Sequence, residues 1–110
     1  MSGRADFEIE PEELQKKLEA GTPPILLDVR RPDEVEIWAF PGAVHIPTYE
    51  LQGRLGELDP TQETVVYCHH GVRSFSVTAF LRQAGFRNVL SLAGGVDRWA
   101  NAIDPKVPRY

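Results

Sequence analysis

The feature that most constrains this chain is the alternation of short apolar runs with segments of helical pattern. "FEI" at 7–9 reads as a first short strand, and "PPILLDV" gives a buried strand at 25–29 after a proline brake. "AVHIP" is a third, ended by Pro47; "TVVY" at 64–67 is bounded by turn residues, and "NVLSL" is the last. Helical patterns lie between them. "EPEELQKKLEAG" has proline near its start, Leu14 and Leu18 four apart, and Gly21 as a stop. "RPDEVEIWA" predicts a helical turn begun by Asp33. "TYELQGRLGELDP" predicts a helix capped by Thr48 with Leu51, Leu55 and Leu58 on one side, weakened by Gly53 and Gly56. The clearest helix is "SFSVTAFLRQAG": Val77, Phe80, Leu81 and Ala84 follow i, i+3, i+4, i+7, and Gly85 closes it. "AGG" is a turn, and "VDRWA" a final short helix. Apolar strands in regular alternation with helices predict an α/β fold, a parallel sheet covered by helices on both faces.

A length of 110 residues suits one domain, 1–110, with a core over about 6–100 and a tail at 101–110. A hydrophobic share of 42% argues against disorder. The net charge of −4 argues against nucleic acid as a partner, since neutralising phosphates needs a basic face. The charge is uneven: residues 1–55 hold eleven acids and six bases, residues 56–110 five acids and six bases. The second half is slightly positive, which favours approach of an anionic substrate. "MSGRADFEIEPEELQ" has no apolar signal core, and no stretch approaches the ~18 apolar residues of a membrane span. A lone cysteine fits a reducing compartment, so a cytoplasmic protein with no membrane association is expected.

That cysteine sits in "VYCHHGVRSFS", where an apolar strand gives way to a helix. In open α/β sheets, ligands bind beyond the carboxyl ends of the strands, which is where Cys68 falls. A loop that leaves the strand at Cys68 and enters the helix at Ser74 carries backbone N–H groups without intrahelical partners. Turned toward one centre, they stabilise negative charge and thereby the nucleophilic thiolate. Gly71 permits the dihedrals such a loop requires, and Arg73 supplies a fork suited to oxyanions. Taken singly, each residue has a plain structural reading: Cys68 a small buried hydrophobe, His69 and His70 solvated loop residues, Arg73 a surface charge. Adjacent histidines with one cysteine have poor spacing for zinc, and no metal or cofactor is expected. Conjunction between a strand end and a helix start is what favours a site.

The stretch "YCHHGVRSFSVTAFLRQAGFRNVLSLAGGVDRWA" resembles the active-site half of a rhodanese domain, the thiosulfate sulfurtransferase family. "LLDVRRPDEVEIWAFPGAVHIP" is similar to that family's first motif, and the likeness covers about residues 6–100. The specific signal is the loop from Cys68 to Arg73, with four residues between, joined to Gly94, Gly95 and Trp99. The resemblance implies a five-stranded, mainly parallel sheet. It also implies that Cys68 takes a sulfane sulfur from a donor such as thiosulfate and passes it to cyanide or a thiol. Residues His69, His70, Gly71, Val72, Arg73 and Ser74 would cradle the outer sulfur. Asp28 and Arg30 match the family's Asp-Val-Arg and are expected to support the site, Asp28 by accepting hydrogen bonds near the loop and Arg30 by pairing with Glu34. With no second cysteine, the acceptor must come from outside the chain, as a small molecule or a protein.

The chain departs from the family where Trp38, Ala39 and Phe40 replace the frequent Gly-His-Ile; packing of Trp38 and Phe40 on the core is expected over an exposed patch. Three other readings compete. A cysteine phosphatase also has a Cys-to-Arg loop, one residue longer, and here Ser74 stands where its arginine would. A sulfur relay for tRNA or cofactor thiolation is a second, and a non-catalytic rhodanese-like binding module a third, although inactive members typically lack the cysteine.

Overall fold

The computed structural model describes residues 6–110. In chain order it contains β1 (Glu8–Ile9), α1 (Pro11–Glu19), β2 (Ile25–Asp28), α2 (Pro32–Ile37), β3 (Val44–His45), a 3-10 segment (Thr48–Glu57), β4 (Thr64–Tyr67), α3 (Val72–Gln83), β5 (Val89–Leu92) and α4 (Gly95–Ala102). The strands form one five-stranded sheet in the order β1-β5-β4-β2-β3, every pairing parallel. The expected α/β architecture is present.

Alternation along the strands divides the core in two, because successive side chains point to opposite faces. Leu26, Val65 and Tyr67 pack with Leu14 of α1 and with Val96, Trp99 and Ala100 of α4. Leu27, Val66 and Cys68 pack on the other face with Val77 and Leu81 of α3 and Leu51 of the 3-10 segment. Both faces are therefore covered. Val107, in the stretch read as a tail, is buried in the first of these clusters.

Three element readings change. The segment from Thr48 is a 3-10 helix kinked at Arg54 (φ −123°), not an α-helix. Gly53 and Gly56 lower helix propensity there, while Leu51, Leu55 and Leu58 still turn toward the core. α3 starts two residues before Ser74, with Gly71 rather than a side chain at its cap. α2 starts at Pro32, and the Glu34 carboxylate accepts the Arg31 N–H (3.1 Å), a contact that fixes the start upstream of Asp33.

The strand order also positions a crevice. β2 and β4 are neighbours, yet β2 leads on to β3 at one edge while β4 leads to β5 on the other side. Their outgoing loops diverge, and such a divergence opens a ligand-sized gap beyond the strands' carboxyl ends. Cys68 and Arg30 lie in these two loops.

Candidate active site

Cys68 follows directly on β4 and is 1% exposed. The chain then turns through Gly71 in the left-handed region (φ 96°) and enters α3. This turn aims two backbone donors at the sulfur: the Gly71 N–H at 3.1 Å and the Ser74 N–H at 3.3 Å. As a thiol, Sγ donates to Ser74 Oγ at 3.4 Å. Ser74 is itself held, its Oγ 2.7 Å from Ser91 Oγ on β5. A negative charge on the sulfur would therefore meet donors already in place at a helix N-terminus.

The loop rests on the turn between β5 and α4. The first N–H groups of α4, at Val96 and Asp97, donate to the carbonyls of Cys68 (2.9 Å) and His69 (3.0 Å). Such close approach excludes side chains. A Cβ at Gly95 would lie 2.5 Å from the His69 oxygen, and one at Gly71 would lie 3.1 Å from the Gly94 nitrogen. Gly94 and Gly95 also hold φ of 74° and 61°, where glycine alone is unstrained. Trp99 packs edge-on to Phe40 (4.9 Å), which also meets Tyr67 and Trp38. Phe40 is buried and Trp38 packs against the same cluster, so these aromatics belong to the core.

Arg30 does not pair with the Glu34 carboxylate as expected. Its Nε and Nη2 donate to the two oxygens of Asp28 (2.9 and 2.6 Å), and it reaches Glu34 only at the backbone carbonyl (3.4 Å). Nη2 also donates to the Trp38 carbonyl (2.6 Å) and Nη1 to the Tyr110 hydroxyl (2.8 Å). Asp28 thus serves Arg30 rather than the cysteine loop, and both are wholly buried. A guanidinium stays charged when buried, and this complete set of acceptors offsets the cost of taking that charge out of water.

The Glu34 carboxylate instead receives Arg73, through Nη1 (2.7 Å) and Nη2 (3.0 Å), so one edge of the Arg73 fork is committed across the crevice. The Tyr110 hydroxyl donates to Glu34 as well (3.0 Å). Burial opposes the charge of Glu34, but Arg73, the Arg31 N–H and Tyr110 outweigh it and hold its pKa at about 2. Above this network the Tyr110 ring stacks on His69 (3.9 Å, 10°), and His69 stacks on His70 (3.9 Å, 30°). Burial, and then the neighbouring His70, lowers the pKa of His69.

The structure thus gathers Cys68, Gly71 and Ser74 about the sulfur and sets His69, His70 and Arg73 on the rim. Val72 is 70% exposed. It borders a groove of about 410 Å³ lined also by Leu51, Gln52, Val77 and Phe80. Asp28 and Arg30 lie under the rim. Sequence reasoning missed Glu34 as the partner of Arg73, and Ser91 and Tyr110 altogether. Ser91 was legible only as the small polar residue in "NVLSL", and Tyr110 carried no signal.

A family profile described as a Rhodanese-like domain matches residues 10–102. A protein named sulfurtransferase from Allochromatium vinosum is 34% identical over 93 residues, covering 84% of this chain and 87% of its own length. A probable adenylyltransferase/sulfurtransferase, MoeZ, of Mycobacterium tuberculosis is 36% identical over 104 residues; the match takes in 93% of this chain and only 26% of that longer protein. Among solved structures, a thiosulfate sulfurtransferase from Pseudomonas aeruginosa superposes with a TM-score of 0.79 at 32% identity, over 92% of this chain and 20% of the other.

Proposed function

We propose, from the premise that this chain belongs to the rhodanese-like family, that it transfers a sulfane sulfur from thiosulfate or a similar donor to cyanide or a thiol through a Cys68 persulfide. The Cys68 thiolate attacks the outer sulfur of the donor; the new S–S bond forms as the old one breaks, and sulfite leaves with the bonding pair. An acceptor nucleophile then attacks the outer sulfur of the persulfide, and Cys68 departs as thiolate. Each step moves one sulfur atom and needs no redox partner.

The observation that carries this reading is the convergence of the Gly71 and Ser74 N–H groups on Cys68 Sγ. A thiolate or terminal persulfide needs such fixed donors, and a loop of four residues between Cys68 and Arg73 makes a ring of small radius. The pairing of Arg73 with Glu34 argues against phosphate chemistry, because that fork is turned to a carboxylate already. The retained cysteine argues against a purely binding role.

A second reading places the same persulfide in a sulfur relay to a protein acceptor, tRNA thiolation or cofactor assembly included. It is favoured by the likeness to a longer adenylyltransferase/sulfurtransferase, of which this chain matches about a quarter.

Replacing Cys68 by Ser tests both readings, since serine is nearly isosteric and forms no persulfide. Wild type incubated with thiosulfate is expected to gain the mass of one sulfur and to form thiocyanate when cyanide is added. The Cys68→Ser variant is expected to do neither while keeping its thermal transition. Thiosulfate turnover by that variant at the wild-type rate would overturn the mechanism. Aryl phosphate hydrolysis by wild type, lost in Cys68→Ser, would install the phosphatase instead.

A further inference from the structure

His69 and His70, outside the sulfur cradle proper, meet a third residue that linear spacing does not reveal. Asp97, in the first turn of α4, reaches the same rim, and one ligand atom from each of the three lies within 4.8 Å of the others. The backbone of this cluster is fixed, since the Asp97 N–H donates to the His69 carbonyl (3.0 Å). In its neutral form each imidazole carries one ring-nitrogen lone pair that can ligate.

We propose that His69, His70 and Asp97 form a binding site for one divalent transition metal ion of the zinc class, with its fourth coordination position open to solvent. Two imidazoles and a carboxylate are the donor set such ions take, and three protein ligands leave a site open. Tetrahedral bonds of ~2.0–2.2 Å set ligand atoms about 3.3 Å apart, so the cluster must close by up to about 1.5 Å. His70 is exposed but stacked on His69 (3.9 Å, 30°), so it must turn off that stack to face the ion, while His69 is held against Tyr110 and serves as the anchor. Asp97 must share or release Arg109 (3.1 Å), whose side chain is 58% exposed, and an ion pair this open to water gives little resistance. Cys68 is not a ligand: its sulfur faces inward to the Gly71 and Ser74 N–H groups. The bound ion would bridge the cysteine loop to α4.

The test uses the full chain, stripped of metal by chelator and titrated with zinc against a chromogenic competitor, with cobalt absorption reporting coordination geometry. One ion per chain is expected, with a Kd near micromolar or tighter and a rise in Tm on loading. Asp97→Ala and His70→Ala should each weaken binding by about tenfold or more, since even a lost outer-shell partner costs that much. His70 is exposed and Asp97 half-buried, and circular dichroism checks that the variants fold. Cys68→Ser should bind as wild type does, which separates this site from the sulfur chemistry. A Kd weaker than about 100 µM, zinc affinity indifferent to Asp97→Ala, or binding that vanishes in Cys68→Ser would each overturn the proposal.

Discussion

Glu34 is 3% exposed and gathers Arg73, Tyr110 and the Arg31 N–H onto one carboxylate. Truncating Arg73 leaves this buried charge short of two charge-assisted bonds, a loss of about 1–3 kcal/mol. Arg73→Ala should therefore lower Tm; it also removes a fixed positive charge beside Cys68, so thiosulfate kcat/KM should fall by about tenfold or more, 1.4 kcal/mol being one decade. Lysine should restore only part of both, because a single ammonium cannot serve both oxygens. Unchanged melting and kinetics in the alanine variant would assign the pair no role. The sequence concealed this partnership for a physical reason. Arg30 and Glu34 are four apart, which brings side chains together only within a helix, and Arg30 leaves a strand end instead. There the turn presents Asp28, two residues back, as the acceptor. Cys68, Gly71 and Ser74 were legible because their grouping depends on local sequence alone. Tyr110 was not, because its contacts depend on where the chain returns.

At the scale of elements, the site is a docking of α4's first turn on the loop before α3. Gly95→Ala should damage this docking severely. It places a methyl against the Cys68 and His69 carbonyls at a φ of 61°, so overlap adds to a backbone strain of ~1–3 kcal/mol. Gly21→Ala provides the comparison, with a φ of 89° and nothing within 4 Å of the new carbon. Urea denaturation should show a clearly larger stability loss for Gly95→Ala, and only that variant should lose sulfur transfer. Equal losses would mean that strain alone decides. A second test lengthens the loop. One glycine inserted between Val72 and Arg73 widens the ring of donors and carries the Ser74 N–H away from the sulfur charge it stabilises. Thiosulfate turnover should fall steeply, and isothermal titration should reveal any phosphate binding gained. Undiminished turnover would show that ring size is not what suits the loop to sulfur. Sequence periodicity placed every strand of the sheet, yet not the 3-10 character of Thr48–Glu57. A leucine spacing that suits an α-helix also suits a kinked 3-10 segment when two glycines remove the preference between them.

For the whole molecule, the titration of the rim sets an acid limit on stability. Glu34 has a folded pKa of about 2 against an ordinary 4.5, so its contribution is complete above 4.5 and is lost as pH falls toward 2. His69, with its pKa lowered below 6.5, acts in the same direction, because the unfolded chain takes up that proton first. Tm should therefore decline gently below pH 6.5 and steeply below 4.5. Glu34→Gln should start lower and flatten the steep part; a parallel curve would place the acid sensitivity elsewhere. The order β1-β5-β4-β2-β3 was not legible, since pairing between distant strands leaves no mark in local periodicity. That order sets the cysteine loop over the sheet's centre, and with it the enclosure of Cys68 at 1% exposure. The enclosure bears on how the protein ages. Peroxide and alkylating agents must reach so recessed a sulfur by the same approach that admits the sulfur donor, so resistance to oxidation and access for substrate are set by one opening.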